Sequence, residues 1–309
     1  MSLSQDPLWP RAGGWPAPGP GPADVALLGI GTWRTSLSPT GAHATPAAVR
    51  EALRRYSPAL RHPDPRRVLD GGGTVDLGAL AVVDHGDVPD PDGPAGEERA
   101  RAAVAEAVRG ARLLVALGGD NALTVPAALG SWGREIGTAG LVTLDAHHDL
   151  RDGVSNGSPV RRLIEAGLDP ARVVQIGIAD FANSAAYGRR AHELGIRVVS
   201  LDELRSRGVA AVVAEALEVA GAASGPVHLD VDVDVCDRSV APGCPASVPG
   251  GIAAHELRAL VRGLVQGRGV RSVDVAEVDA TADAPDGRTV RLAALCVLEA
   301  LAGLALRTG

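Results

Sequence analysis

Short runs of branched apolar residues alternate along most of this chain with longer stretches whose apolar positions recur every three or four residues. The short runs, bounded by glycine or polar residues, read as buried strands, and the longer stretches as helices laid against them. Strands are expected at 23–31, 80–83, 112–119, 140–145, 172–178, 196–200, 227–233 and 270–276. Helices are expected from Thr45 to about Tyr56 and at 97–109, 157–167, 183–195, between 201 and 220, 253–268 and 289–306. Thr45 has the side chain of an N-cap, and Pro46 suits the first helical position. The alternation gives about eight strands, most followed by a crossover, and so a mainly parallel sheet covered by helices. An open α/β sheet and a (β/α)8 barrel both meet that count, and both place ligands at the carboxyl ends of the strands. Residues 1–22, rich in Pro, Gly and Trp, are expected to form an irregular arm ahead of one large domain over 23–309.

Several of these runs end in unusual residues. The run at 140–144 stops in Asp145, His147, His148 and Asp149, that at 112–117 in Gly118-Gly119-Asp120-Asn121, that at 227–231 in Asp232 and Asp234, and that at 270–276 in Glu277. Polar groups converging from separate strand ends are what a catalytic cleft in a parallel sheet requires. Strand geometry would send Asp230, Asp232 and Asp234 to one face, where burying them unpaired is prohibitive and a divalent cation is the simplest remedy. A solvated acidic edge strand would account for that ladder alone, but not for the ladder together with Asp145-Ala146-His147-His148-Asp149. The set is rich in carboxylate, with one or two imidazoles and no thiolate, which suits Mn²⁺ better than a structural zinc site. Paired metals bridged by carboxylates activate water at neutral pH, so metal-assisted hydrolysis is the expected chemistry.

Composition narrows the choices. Hydrophobic residues make up 46% and aromatics only 2%, so the core must be built from Ala, Val and Leu. A formal charge of −7 argues against nucleic acid or an anionic membrane as partner and leaves a small-molecule substrate. All 30 basic residues counted as Lys or Arg are Arg, which removes Schiff-base chemistry. Cys236, Cys244 and Cys296 make neither a disulfide framework nor a zinc signature. With no signal-peptide pattern and no apolar run approaching about 18 residues, a cytoplasmic location is expected.

Gly118-Gly119-Asp120-Asn121, Asp145-Ala146-His147-His148-Asp149, Asp232-Val233-Asp234, Ala241-Pro242-Gly243 followed by Gly250-Gly251, and Glu277 together resemble the signature blocks of the ureohydrolases, the family of arginases, agmatinases and formimidoylglutamases. The resemblance implies a three-layer α/β/α fold with a central eight-stranded, mainly parallel sheet, and so favours the open sheet over the barrel. It also implies two Mn²⁺ ions per subunit, hydrolysis of a guanidine or amidine C–N bond, and a homo-oligomer, trimer or hexamer. On this chain one ion would take Asp145, Asp149, Asp232 and the residue at 121, and the other Asp145, His147, Asp232 and Asp234. Asp149 would relay the proton to the leaving nitrogen, and Glu277 would hold the cationic amidinium.

Two departures bear on metal and substrate. Position 121 is Asn where the family usually has His, so the first metal site is expected to be weaker unless His148 compensates. Asn156-Gly157-Ser158-Pro159 replaces the family's His-Gly-x-Pro, and Arg151 follows the last Asp of the metal block by two residues, both as in formimidoylglutamases. Arg151 offers a planar fork for a substrate carboxylate, with Asn156 as a second substrate-binding residue. Arg34, Arg161 and Arg162 are candidates for a second carboxylate, and Cys244 reads as a packed residue. The expected substrate is N-formimidoyl-L-glutamate. A guanidino-acid hydrolase or agmatinase releasing urea, and a catalytically silent binding subunit, are the alternatives.

Overall fold

The computed structural model describes residues 6–61 and 73–307. Its first half contains β1 (Ala23–Ile30), α1 (Thr45–Leu53), the short strands β2 (Ala59–Arg61) and β3 (Thr74–Asp76), β4 (Val82–Asp87), α2 (Gly93–Arg109), β5 (Ala111–Gly118), α3 (Thr124–Trp132) and β6 (Gly140–Leu144). The second half contains α4 (Pro159–Glu165), β7 (Val173–Ile178), α5 (Ala185–Leu194), β8 (Arg197–Ser200), α6 (Leu201–Arg207), α7 (Val209–Ala220), β9 (Val227–Asp232), α8 (Ala254–Val265), β10 (Val270–Ala276) and α9 (Arg288–Ala305).

Eight strands form one sheet in the order β4-β1-β5-β10-β9-β6-β7-β8, every pair parallel. A strand covered on both sides has no polar face, so its sequence shows no alternation, yet its side chains still divide between two layers. In β5, Leu113, Val115 and Leu117 join the larger core with α1, α8 and α9, while Leu114 and Ala116 join a second core with α2. A third cluster carries Leu141 of β6 toward α3, α4 and α5. Helices on both faces of an open sheet make three layers, not a barrel. Residues 6–22 contain neither helix nor strand, but Ala12 N bonds Tyr56 O at 2.8 Å and Pro16 O accepts Asp84 N at 2.8 Å. No helix among the described residues is long and apolar enough to cross a membrane.

Three features differ from the sequence reading. Helix α3 and the β2–β3 hairpin occupy stretches where no element is expected. Helix α3 is buried at seven of its nine residues, so no 3.6-residue stripe marks it, and Pro126 falls in its first turn, where a missing N–H breaks no helical bond. Thr45 does not cap α1: the helix begins at Thr45 itself, whose hydroxyl donates to Val278 O at 2.5 Å. The Asp ladder is not one strand face either. Asp230 and Asp232 lie in β9, but Asp234 belongs to a single 3₁₀ turn after it.

The register brings functional strand ends side by side. Strands β5, β10, β9 and β6 are consecutive neighbours, so residues just past 118, 276, 232 and 144 share one edge. Backbones pack closely at both ends of these strands: a Cβ on Gly119, at the functional edge, would fall 2.0 Å from Thr32 O, and one on Gly140, at the opposite end where β6 starts, 2.0 Å from Ala220 O. Gly140→Ala must therefore push α7 from the sheet, at a cost of about 2 kcal/mol, and should lower Tm by about 5 °C in thermal unfolding. An unchanged Tm would show that this contact does not set the helix position.

Candidate functional site

Each functional side chain follows a strand end by a few residues, and local hydrogen bonds fix where it points. Asp145 leaves β6 with Oδ1 accepting His147 N at 2.6 Å, and Asp232 closes β9 with Oδ1 accepting Asp234 N at 2.8 Å. Asp234 Oδ1 accepts Ala146 N at 3.0 Å, which ties the β9 turn to the β6 turn. These contacts bring one ligand atom each of Asp145, His147 and Asp234 within 4.8 Å of one another. His147 Nδ1 stands 2.7 Å from Asp234 Oδ2 and 3.4 Å from Asp145 Oδ1.

Asp149 and Glu277 have left-handed backbones, φ 52° and 59°, which non-glycine residues adopt only when the surroundings hold them there. Asp149 Oδ2 accepts Asn121 Nδ2 at 2.7 Å. Glu277 Oε1 accepts both Asn121 N at 2.8 Å and Asn156 Nδ2 at 2.6 Å, which leaves Oε2 for a ligand. His147, Asp149, Asp232, Asp234 and Glu277 line one cavity of about 300 Å³ with Arg151 and Asn156.

The electrostatics are those of crowded, buried acids. Burial and then Asp234 push the Asp145 carboxyl up to about 7, and burial and then Asp120 push Glu277 up to about 8. Burial with the neighbouring acids raises Asp149 and Asp232 well above the usual carboxylate range. Burial alone would lower His147, but Asp234 and Asp145 outweigh it and push the imidazole up to about 12. Burial would likewise raise Asp234, yet the His147 imidazolium holds it below its ordinary value. In effect the His147 proton neutralises a cluster that a cation would otherwise neutralise.

The residues fit a divalent metal. Asp145 Oδ2 is buried without a hydrogen-bond partner, and the donors around it are carboxylate and imidazole. Asp145, His147, Asp149, Asp232 and Asp234 are the groups that would hold it. Asn121 offers no oxygen in this arrangement, because its Oδ1 accepts Thr124 Oγ1 at 2.8 Å while its nitrogen serves Asp149. His148 Nδ1 pairs with Gln175 Oε1 at 2.7 Å, and Gln175 Nε2 already donates to His148 O at 2.8 Å. Nδ1 therefore carries the hydrogen, and only Nε2 is left to accept.

Of the basic candidates, Arg151 lines the cavity, and its guanidinium enters no hydrogen bond or ion pair among the described residues. The others are elsewhere or engaged. Arg162 Nη2 donates to both carboxylate oxygens of Glu97 at 2.8 Å, Arg161 reaches Glu165 at 2.5 Å, and Arg34 stands 3.9 Å from Asp90. Cys244 is fully buried and its thiol is pushed up, as expected of a packed residue. The sequence reading misses Asn183, Ser184 and Tyr187, which line the cavity just past β7. Applying the strand-end rule to β7 as well would have found them, whereas Leu37 and Ser38, from the loop after β1, carried no such signal.

Similarity to known proteins agrees with this geometry. The arginase-family profile matches residues 23–303. The chain is 32% identical to the formimidoylglutamase of Bacillus subtilis (strain 168) over 290 residues, covering 91% of this chain and 87% of that one. The crystal structure of formimidoylglutamase from Bacillus subtilis subsp. subtilis str. 168 superposes with a TM-score of 0.88 at 29% identity, over 99% of this chain and 95% of that one. A Trypanosoma cruzi formiminoglutamase solved with Mn²⁺ shares the fold at a TM-score of 0.79 and 23% identity, over 93% of this chain and 95% of that one. With its parallel eight-stranded sheet, its acid-lined cavity and a family match over nearly its whole length, the chain belongs to the arginase family.

Proposed function

We propose that this chain hydrolyses the C–N bond of N-formimidoyl-L-glutamate, giving L-glutamate and formamide, with two Mn²⁺ ions per subunit. The observation that carries the reading is that one cavity is lined both by an acid with a spare oxygen and by a guanidinium that enters no hydrogen bond or ion pair among the described residues. The substrate has the complementary pattern, an amidine at one end and carboxylates at the other. Agmatine has no carboxylate to offer Arg151. Similarity to a formimidoylglutamase over most of both chains supports the same choice.

Divalent ions held by the carboxylates and His147 would lower the pKa of water and make it nucleophilic at neutral pH. The protein's own groups do the rest. Glu277 Oε2 receives the amidinium N–H groups and orients the formimidoyl carbon, while its Oε1 stays fixed by Asn121 and Asn156. Water adds to that carbon, and the tetrahedral adduct collapses by breaking the bond to the α-nitrogen. Asp149 takes a proton from the adding water and passes it to that nitrogen, so that the acid ends the cycle as it began. Arg151 takes a substrate carboxylate through a charge-assisted pair.

Glutamate and formamide release from formimidoylglutamate, measured beside urea release from agmatine, arginine and guanidino acids with added Mn²⁺, tests the substrate. Urea from a guanidino compound without formamide from formimidoylglutamate would reject it, and no product with any of them would favour the silent subunit. Arg151→Ala should raise KM about tenfold or more with kcat little changed, the size of one lost charged hydrogen bond. An unaltered KM would remove Arg151 from the site.

The metal reading has its own test. Asp145, Glu277 and His147 bind protons more tightly in the folded chain than in the unfolded one, with pKa values raised to about 7, about 8 and about 12. The folded state therefore holds extra protons, and metal-free stability falls as the pH rises from about 5 to 8. Mn²⁺ replaces those protons, so it should raise Tm by about 5 °C or more at pH 8 and far less at pH 5. Equal Tm with and without Mn²⁺ at both pH values would show that the cluster holds no metal.

A further inference from the structure

The cavity has a wall from outside the strand ends: segment 33–41, the loop after β1, contributes Leu37 and Ser38. It contains no helix or strand, and its one internal backbone bond runs from Ser36 N to Trp33 O at 3.3 Å. Its ends are tied by carboxylates. Asp92 Oδ1 accepts Trp33 N at 3.1 Å and Arg34 N at 2.9 Å, and Asp279 Oδ2 accepts Gly41 N at 2.7 Å and Thr40 Oγ1 at 3.3 Å. Its middle is tied by Asn156. Asn156 Oδ1 accepts Leu37 N at 3.0 Å, its backbone N donates to Thr35 O at 3.4 Å, and its Nδ2 reaches Ser36 Oγ at 3.5 Å.

The same Nδ2 donates to Glu277 Oε1 at 2.6 Å. One carboxamide thus holds the segment with its oxygen and the amidinium-binding acid with its nitrogen. We infer that Asn156 is a positioning residue that couples Glu277 to segment 33–41, so that seating a cation on Glu277 and fastening the loop over the cavity are one event. The inference rests on the reading of Glu277 as the amidinium-binding group. Asp279, only two residues after Glu277, fixes the far end of the segment to the same loop, so the acid and its cover share a scaffold. Because coupling free energies are reciprocal, loosening the segment must weaken the cation and removing the cation must loosen the segment.

Asn156→Ala and Asn156→Asp separate the two halves. Alanine removes both contacts. Aspartate keeps an oxygen for Leu37 N but sets a carboxylate against Glu277 Oε1. In the Mn²⁺-loaded protein, hydrogen exchange of amides 33–41 should speed up about tenfold in Asn156→Ala, the loss of one protecting hydrogen bond, and stay within about twofold of the parent in Asn156→Asp. Both variants should raise KM for formimidoylglutamate about tenfold or more, with a smaller change in kcat and unchanged Mn²⁺ content. Unaltered exchange in Asn156→Ala, equal loosening in both variants, or an unchanged KM would overturn the coupling. If the parent does not hydrolyse formimidoylglutamate, the proposed substrate fails, and the exchange pattern alone decides for or against Asn156 as the loop's anchor. Asn156→Ser takes the place of the alanine variant if that protein does not fold.

Discussion

Five acids, Asp145, Asp149, Asp232, Asp234 and Glu277, are buried within one small volume, and the rest of the structure follows from how that is tolerated. Moving even one unpaired carboxylate out of water is costly, and the raised pKa values of four of them show that protons or cations must enter with the charge. The one imidazolium present, His147, can satisfy one partner fully, and it is Asp234 that stays ionised. A parallel sheet suits this task because it delivers groups from four adjacent strand ends to one edge. The strain at Asp149 and Glu277 belongs to the same arrangement, since left-handed backbones of non-glycine residues persist only where the surroundings hold them.

The polar character of the site continues downward into the sheet. On the face toward α3, His228 Nδ1 lies 2.7 Å from Ser272 Oγ and Nε2 2.9 Å from Asp274 Oδ2, with the Trp132 ring edge-on to the imidazole. With Nε2 donating to Asp274, Nδ1 is free to accept from the serine hydroxyl, so both ring nitrogens have partners. Asp230 sits next to Asp274 with neither oxygen receiving a donor, and burial and then Asp274 raise its carboxyl far above the ordinary range. The third carboxylate of the Asp ladder therefore belongs to the floor of the site and not to its ligand set.

What the sequence made legible and what it hid divide along a physical line. The sheet was readable because strands such as 113–118 and 140–144 are almost wholly apolar, a pattern that survives without any knowledge of neighbours. The clustered acids were readable because strand ends are fixed points of such a fold, so Asp145, Asp232 and Glu277 could be placed together from their positions alone. Helix α3 was hidden because burial on nearly every side erases periodicity. Asp234 was assigned the wrong geometry because the 3₁₀ turn after β9, closed by Cys236 N to Val233 O and capped by Asp234 N to Asp232 Oδ1, is announced by no pattern. Leu37 reaches the cavity through contacts with residues more than a hundred positions away, a distance at which local sequence carries no information.

The two asparagines explain how the site works without the imidazoles its family usually places at 121 and 156. Asn121 and Asn156 each aim Nδ2 at a functional carboxylate, at 2.7 Å for Asp149 and 2.6 Å for Glu277. Each turns its oxygen to the scaffold, toward Thr124 Oγ1 at 2.8 Å and Leu37 N at 3.0 Å. An imidazole could make a pair of contacts as well, but it titrates near neutrality, and beside a crowded acid it would gain a proton and add a charge. A carboxamide donates and accepts without changing charge, so it orients each acid and leaves the protonation of Asp149 and Glu277 to be set by burial, the neighbouring acids and whatever cation occupies the cavity. The substitution at 121 therefore does more than weaken a ligand. In this structure the side chain at position 121 holds the Asp149 carboxylate through its Nδ2.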